Sequence, residues 1–440
     1  MVPLTQRGKY HGIVGLTWAL ASAIGPLVGG SLASNGHWRW FFYLNLPISG
    51  VALTMSLIFL NLPTPPGTLV EKLGRMDWIG NLLCIGSTTS FVIGLTWGGV
   101  THPWSSAQVL IPLILGVMGF VVFVIYEGLF AKNPIIPWTL LRNRSSVSGY
   151  IQTFINPVLT ISVISYYQAC KDASPIGSSV NILSISLSMT PSVVLAGISV
   201  TVFQRYRPQI WIAWCLVMIG MGTFTIIRAD SVKAFAVGLC IPFSVGAGIL
   251  YSATYFPVLS PLPVTENAHA LAFFGFCRSF AGVRTFYSFL INVRILTDTL
   301  LKVWGVSIGA AILQNELGKH LPAEFLQSIV GEGNSPDSSN VNLIYSVIPL
   351  IKGLPEPLKH EVRVAFADAF TVIWKTMVGI SAIGLLASLL MRDVPMHKFV
   401  DEKWDLPADK SKQPETDILY TASTGELQQK VASKVDLAVA

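Results

Sequence analysis

An arginine within an apolar run is the residue whose type and position most clearly suggest chemistry. Arg278 lies inside the run that begins near residue 269. A charge within a run of membrane-spanning length is energetically unfavourable, so such residues are functional candidates by default. Arg278 could face a cavity and bind anionic groups, or it could hold a pair of helices together. The competing interpretation is that its long side chain reaches the cytoplasmic membrane interface.

Aromatic and amide side chains offer a second kind of chemistry, the binding of flat amphipathic molecules. Tyr166, Tyr167 and Gln168 follow one another near the end of the run over residues 148–169. Aromatic rings stack on flat ligands and a glutamine supplies hydrogen bonds, so these side chains suit a ligand cavity. The alternative is an aromatic belt at the outer membrane interface.

Two carboxylates near the ends of apolar runs favour structural roles. Asp77 stands at the start of a run, where a carboxylate stabilises a helix N-terminus. Glu127 lies close to the inner end of another run, and we interpret it as an interfacial anchor.

The sequence lacks the motifs of several other function classes. It contains no G-x-x-x-x-G-K-[ST] phosphate loop, which excludes ATP hydrolysis as a driving force, and no G-x-S-x-G or H-E-x-x-H motif that would indicate an enzyme. The five cysteines are scattered singly and the histidines do not cluster, so we expect free thiols, no metal and no cofactor. The net charge of +6 is spread between apolar runs, which argues against a nucleic-acid partner.

Membrane-spanning helices must position these side chains. Hydrophobic residues make up 52% of the 440 residues and charged residues only 12%, whereas roughly a quarter is charged in soluble domains. Apolar runs of about 20 residues predict about ten crossings. We therefore expect an all-α, polytopic membrane protein. The runs lie at residues 12–33, 39–60, 77–99, 107–130, 148–169, 179–203, 209–228, 233–256, 269–313 (interrupted) and 364–391.

The loop charges predict that both ends of the chain face the cytoplasm, because lysine and arginine accumulate in cytoplasmic loops. The predicted inside loops hold Arg7, Lys9, Lys72, Arg75, Lys132, Arg142, Arg144, Arg205 and Arg207. The short outside loops hold only Arg39, Lys171, Arg228 and Lys233.

Small residues stand in the middle of the first apolar run. Gly25 and Gly29 share one row of the predicted helix, and Pro26 and Gly30 share the neighbouring row. Helices in membranes associate through close backbone approach at small residues. The rows suit either a static packing contact or a seam along which two helix bundles move.

The same residues carry a resemblance to a known family. The stretch "SAIGPLVGG" resembles the antiporter signature G-x-x-x-G-P-x-x-G-G of the major facilitator superfamily, with Ala21 in place of its leading glycine. Further stretches resemble the fourteen-helix drug:proton antiporter family, and most closely its fungal efflux pumps. In chain order they are "WRWFFYLNLP", "MDWIG", "GLTWGGVTHPWSS", "NPIIPWTLLRNRS" and "RYRPQIWIAW".

The resemblance implies roles for individual residues. It makes Gly25, Pro26, Gly29 and Gly30 the antiporter motif. It also places the two tyrosines and the glutamine at 166–168 where the family has an aromatic-aromatic-glutamine phrase that faces the central cavity. Asn45 and Pro47 match the family's N-x-P phrase, for which we expect a local helix bend.

The chain departs from the family pattern in two places. The antiporter signature belongs to the fifth family helix, so we expect an N-terminally truncated chain and a partial major-facilitator fold. Residues 283–302 look inserted between two family phrases, and we interpret them as a retained intron. The alternative is a divergent lineage with an additional re-entrant segment.

We predict four regions in the chain. They are a remnant of the N-terminal helix bundle at 1–65, which holds family helices five and six, an intervening helix pair at 66–145, a C-terminal bundle at 146–391, and a cytoplasmic tail at 392–440.

The resemblance implies a secondary active transporter that exports small hydrophobic or amphipathic compounds in exchange for protons. A siderophore transporter and a non-transporting membrane protein are the alternatives. We expect a monomer in the lipid bilayer of the plasma membrane, with the vacuolar membrane as the alternative location.

Overall fold

The fold is helical in the part of the chain that the structure, a computed structural model, describes. That part comprises residues 3–34, 36–37, 39–59, 67–98, 102–159, 170, 175–282, 305–322, 325, 351 and 353–396. No strand occurs within these ranges. The predicted all-α class is confirmed.

We number the described α-helices α1 to α14 in chain order. The first half contains α1 (Leu4–Ser34), α2 (Arg39–Phe59), α3 (Leu69–Gly74), α4 (Trp78–Trp97), α5 (Ala107–Leu129), α6 (Thr139–Arg142) and α7 (Arg144–Leu159). The second half contains α8 (Pro175–Phe203), α9 (Arg207–Phe224), α10 (Lys233–Ala253), α11 (Tyr255–Leu259), a 3-10 turn (Val264–Glu266), α12 (Asn267–Gly282), α13 (Gly305–His320) and α14 (Leu358–Leu389).

Six of the described helical segments are long and apolar enough to cross a membrane. They are Phe42–Phe59, Trp78–Leu95, Ala107–Leu129, Leu183–Phe203, Ala234–Leu259 and Leu358–Leu389. The polytopic character predicted from the apolar runs is therefore confirmed. The total of about ten crossings stays a prediction.

Capping residues mark the start of two helices in the first half of the chain. Thr68 and Glu71 form a capping box at α3, in which each side chain accepts a hydrogen bond from the backbone N–H of the other. Asp77 caps α4 because its Oδ1 accepts a hydrogen bond from the backbone N–H of Gly80 at 2.8 Å.

The helices pack in a continuous chain of neighbours. α1 lies along α8, α8 along α10, α10 along α9, and α9 along α14. α7 contacts α11, α12 and α14 from another side. α4 and α5 pair with each other, and Phe280 of α12 meets this pair through ring contacts with Phe91 at 6.5 Å and Phe120 at 6.1 Å.

The tightest core lies where α9, α10 and α14 meet. The buried aromatic side chains there include Trp214, Phe224, Phe243 and Trp374. Two glycines make room for them, because an added Cβ at Gly220 would lie 2.5 Å from the Cβ of Phe243, and one at Gly384 would overlap the ring of Trp214. A side chain at either glycine would push two helices apart.

The predicted division into four regions stays a prediction. The predicted insertion at 283–302 and residues 397–440 of the predicted tail lie outside the described residues.

Candidate functional site

A contact between glycines joins α1 to α8. An added Cβ at Gly8 would lie 2.5 Å from the carbonyl oxygen of Gly197 and 2.5 Å from Oγ1 of Thr201. Further along α1, an added Cβ at Gly12 would lie 3.4 Å from the Cα of Val194. The two helices therefore meet backbone to backbone, as membrane helices do where small residues allow it.

The glycines of the predicted antiporter motif lie further along the same helix. Gly25, Pro26, Gly29 and Gly30 all fall within α1, and Gly29 is buried. An added Cβ at Gly25 would meet none of the described neighbouring atoms within 4 Å. The close backbone contact with α8 is thus made at the start of α1, and the motif's role as a moving seam stays a prediction.

Arg278 joins α12 to α10. Its Nη2 donates a hydrogen bond to the carbonyl oxygen of Tyr251 at 2.9 Å. Its guanidinium carbon also lies 4.1 Å from the ring centre of Tyr251 and 4.6 Å from that of Phe274. Within the described ranges no carboxylate forms an ion pair with Arg278, so aromatic faces and one carbonyl surround this cation.

His11 brings a third helix, α1, to the contact between α12 and α10. Its ring stacks on Tyr255 with ring centres 4.8 Å apart, and lies 6.3 Å from the ring of Tyr251. Its Nε2 is shielded from solvent and has no hydrogen-bond partner in the described part of the chain. His11 and Arg278 therefore approach the same tyrosine from α1 and α12.

We call His11, Tyr251, Tyr255, Phe274 and Arg278 the aromatic-cation cluster. It lies where α1 meets α10, α11 and α12. Cation, imidazole and aromatic faces together can bind a flat molecule that carries an electron-rich or anionic group. Binding of an anionic group by Arg278 stays a prediction.

The sequence reasoning missed the other members of this cluster. The histidine of "KYHG" sits in the first turns of an apolar helix, and that position is a signal that could have singled it out. No comparable signal marks Tyr251 or Tyr255, because neither differs in the sequence from other aromatic residues of an apolar run.

The other predicted site residues form two groups. Tyr166, Tyr167 and Gln168 lie outside the described residues, so their place in a cavity stays a prediction. Asn45 and Pro47 lie on α2 with exposed side chains, and Pro47 is inside the helix. The bend expected at this pair also stays a prediction.

A buried polar network ties α7 to α9 and α14, and the sequence reasoning missed it as well. Nε1 of Trp214 donates a hydrogen bond to Oε1 of Gln152 at 2.8 Å. Nε2 of Gln152 donates to Oγ of Ser148 at 2.9 Å, and Ser148 donates in turn to the carbonyl oxygen of Ala387. All three side chains are buried, so the network fixes how these helices pack.

Comparison with known proteins identifies the family. The sequence model of the fungal trichothecene efflux pump family (TRI12) matches residues 4–438. The chain belongs to this family.

Individual relatives agree with the family assignment. Efflux pump FUS6 of Gibberella moniliformis is 33% identical over 419 residues, which cover 93% of this chain and 70% of that pump. MFS-type efflux pump LUC4 of a Fusarium species is 32% identical over 94% of this chain and 71% of its own length. MFS-type efflux pump MMF1 of Pseudozyma antarctica is 30% identical over 91% of this chain and 70% of its own length.

Membership of this family makes the chain an integral membrane transporter of the efflux type rather than an enzyme. The resemblance to fungal efflux pumps is thereby confirmed. The fourteen-helix count and the N-terminal truncation stay predictions. In the ranges described above, no group of histidine, cysteine and carboxylate side chains could hold a metal ion.

Proposed function

We propose that this efflux pump exports small hydrophobic or amphipathic compounds in exchange for protons, by alternating access. Family membership supports export, and the apolar helices support a bilayer location. The observation that carries the proposed mechanism is the glycine contact between α1 and α8.

Contacts through glycine suit the motion that alternating access requires. Secondary transporters tilt two groups of helices about a site near the middle of the membrane. The contact at Gly8 and Gly197 is made mainly by backbone atoms, so few side chains must separate when one helix shifts. The predicted motif at Gly25, Pro26, Gly29 and Gly30 would extend this smooth face along α1.

The aromatic-cation cluster supplies chemistry for the transported compound. A flat apolar body can stack on the rings of Tyr251, Tyr255 or Phe274, while Arg278 attracts an oxygen of partial or full negative charge. We propose that the side chains at 166–168 add stacking surface and hydrogen bonds for the transported compound.

The proton gradient is the proposed driving force, because the sequence has no phosphate loop for ATP. We further propose a monomer in the plasma membrane. The lipid bilayer is its surrounding partner and a small molecule its substrate, and no nucleic acid takes part.

Transport by the purified chain in liposomes tests the proposal. Liposomes are loaded with an apolar fluorescent dye, and dye movement is followed after a pH gradient is imposed. We expect dye movement that a protonophore abolishes and that added ATP does not change. Protein-free liposomes are the control.

Other outcomes would identify the alternatives. Dye movement that does not depend on the pH gradient would contradict proton exchange. Movement of an iron-loaded siderophore in place of the dye would favour the siderophore transporter. Movement of neither compound would favour a non-transporting membrane protein.

A further inference from the structure

Two carboxyl side chains meet at one end of the α4–α5 hairpin. Asp77 immediately precedes α4, and Glu127 lies in the last turn of α5. Because α4 and α5 pack side by side and the chain returns along α5, these positions come together. Glu127 is only 8% exposed, which corrects its interpretation as an interfacial anchor, and Asp77 is half-buried.

Gly80 allows these two carboxyl groups to converge. An added Cβ at Gly80 would lie 2.8 Å from Oε1 of Glu127 and closer still to Oδ2 of Asp77. Both oxygens therefore surround one small space above the first turn of α4. Both are shielded from solvent, and neither has a hydrogen-bond partner in the described part of the chain.

The other oxygen of each carboxyl group already has its donors. Oδ1 of Asp77 accepts hydrogen bonds from the backbone N–H of Gly80 at 2.8 Å and from the hydroxyl of Tyr126 at 3.2 Å. Oε2 of Glu127 accepts one from the backbone N–H of Ile136 at 3.4 Å. Helix capping thus explains the position of Oδ1 of Asp77 but not the two unpartnered oxygens.

Among the described residues, no cation pairs with either carboxylate. The neighbouring titratable groups in the described part of the chain are the hydroxyl of Tyr126 on α5, which donates to Asp77, and the thiol of Cys84 on α4, which lies near Glu127. From the segment after α5 comes the backbone of Ile136. No arginine, lysine or histidine among the described residues forms an ion pair with Asp77 or Glu127.

We propose that Asp77 and Glu127 share one exchangeable proton and that this pair is a proton-binding site of the carrier. Two carboxylates that converge on one small space, one buried and the other half-buried, repel each other when both are ionised. One proton removes that repulsion and provides the donor that the two unpartnered oxygens lack. That this proton takes part in export rests on the proposed function.

Infrared spectroscopy tests the proton-binding site without transport. The carbonyl stretch of a protonated carboxyl group is recorded on the purified full chain as the buffer passes from acidic to alkaline. We expect a protonated-carboxyl band that persists in neutral buffer. Glu127→Gln and Asp77→Asn should each abolish it, because the amide of either variant donates to the remaining carboxylate in place of the proton. Glu361→Gln, at an exposed position in the first turn of α14, should leave it unchanged.

Thermal unfolding, measured over a range of pH, gives a second test with the same variants. The thermal stability of the unmodified chain should fall as the pH rises from the ordinary range of a carboxyl group to the pH at which the shared proton leaves, and the two amide variants should not show this fall. No neutral-pH band in the unmodified chain, or a band that survives in either amide variant, would overturn the shared proton.

Transport measurements on the same variants distinguish a failure of this proposal from a failure of the proposed function. In the liposome experiment, Glu127→Gln should reduce the acceleration of dye movement by the pH gradient at least tenfold, and Glu361→Gln should retain it. Full acceleration with Glu127→Gln would overturn the role of the pair in exchange. If the unmodified chain moves no dye, the proposed function fails, and the infrared band alone decides the proton-binding site.

Discussion

Gly8 of α1 and Gly197 of α8 lie so close that a Cβ added to either would clash with the carbonyl oxygen of the other. Side-chain hydrogen bonds accompany this contact, since Oγ1 of Thr201 donates to the carbonyl of Gly197 at 2.9 Å and Nε2 of Gln204 donates to the carbonyl of Thr5 at 3.4 Å. The start of α1 therefore packs against the end of α8 through a backbone contact that only glycine permits.

Substitution of Gly197 by alanine should separate α1 from α8. The new methyl group would overlap the carbonyl of Gly8, and overpacking of this kind costs about 1–3 kcal/mol. We expect Gly197→Ala to lower the thermal unfolding temperature of the purified chain and to slow dye movement in liposomes.

A glycine with free space provides the matched control. An added Cβ at Gly238 of α10 would meet none of the described neighbouring atoms within 4 Å. Gly238→Ala should leave the unfolding temperature unchanged or raise it, because alanine favours a helix by about 1 kcal/mol over glycine. Equal losses in both variants would contradict a specific role for the α1–α8 contact.

Removal of the Trp214 indole N–H should weaken the packing of α7 against α9. Trp214→Phe keeps an aromatic ring but leaves Oε1 of Gln152 buried without its donor at 2.8 Å. An unsatisfied buried acceptor costs about 1–3 kcal/mol. We expect the free energy of unfolding, measured by denaturant titration, to fall by this amount.

The control for this variant is Trp138→Phe, at a position that is 60% exposed. Its free energy of unfolding should change by less than about 0.5 kcal/mol. A Trp214→Phe variant as stable as this control would show that the indole N–H does not stabilise the fold.

Helix positions could be predicted from the sequence because they depend on local composition. The apolar run at 107–130 became α5, at Ala107–Leu129, and the run at 39–60 became α2, at Arg39–Phe59. In both cases run length and polar boundaries were sufficient.

The contacts between helices could not be predicted in the same way. His11 meets Tyr255, and Arg278 meets Tyr251, only because α1 and α12 both pack beside α10 and α11. Asp77 and Glu127 were each interpreted alone, since nothing in the sequence shows that Gly80 lets them converge. Spacing within one helix predicted a small-residue face on α1, but it could not show that α8 meets that helix at Gly8.

Loss of the Arg278 guanidinium should loosen α12 from α10. Arg278→Met keeps much of the side-chain volume but removes contacts with two aromatic faces and the hydrogen bond at 2.9 Å to the carbonyl of Tyr251. A desolvated cation–π contact is worth about 2 kcal/mol. We expect a loss of at least that size in the free energy of unfolding, together with slower dye movement.

Arg228→Met is the control for the loss of a positive charge. Arg228 pairs with Asp368 at 3.3 Å, with side chains that are 65% and 46% exposed, so the pair is worth at most about 1 kcal/mol. If the two variants lose equal stability, the aromatic surroundings of Arg278 contribute nothing.

Two substitutions of His11 distinguish the contribution of ring stacking to stability from that of the imidazole nitrogen. His11→Phe retains a ring that can stack on Tyr255 at 4.8 Å and removes Nε2, which is buried without a described partner. We expect the free energy of unfolding to change by less than about 1 kcal/mol, because loss of the hydrogen bond with the Tyr251 backbone is offset by removal of a desolvated polar atom. His11→Ala removes the ring itself and leaves a cavity between α1 and α11, so it should cost about 2 kcal/mol or more. Denaturant titration of both variants measures the difference. A phenylalanine variant as unstable as the alanine variant would show that the imidazole nitrogen, rather than ring stacking, holds α1 in place.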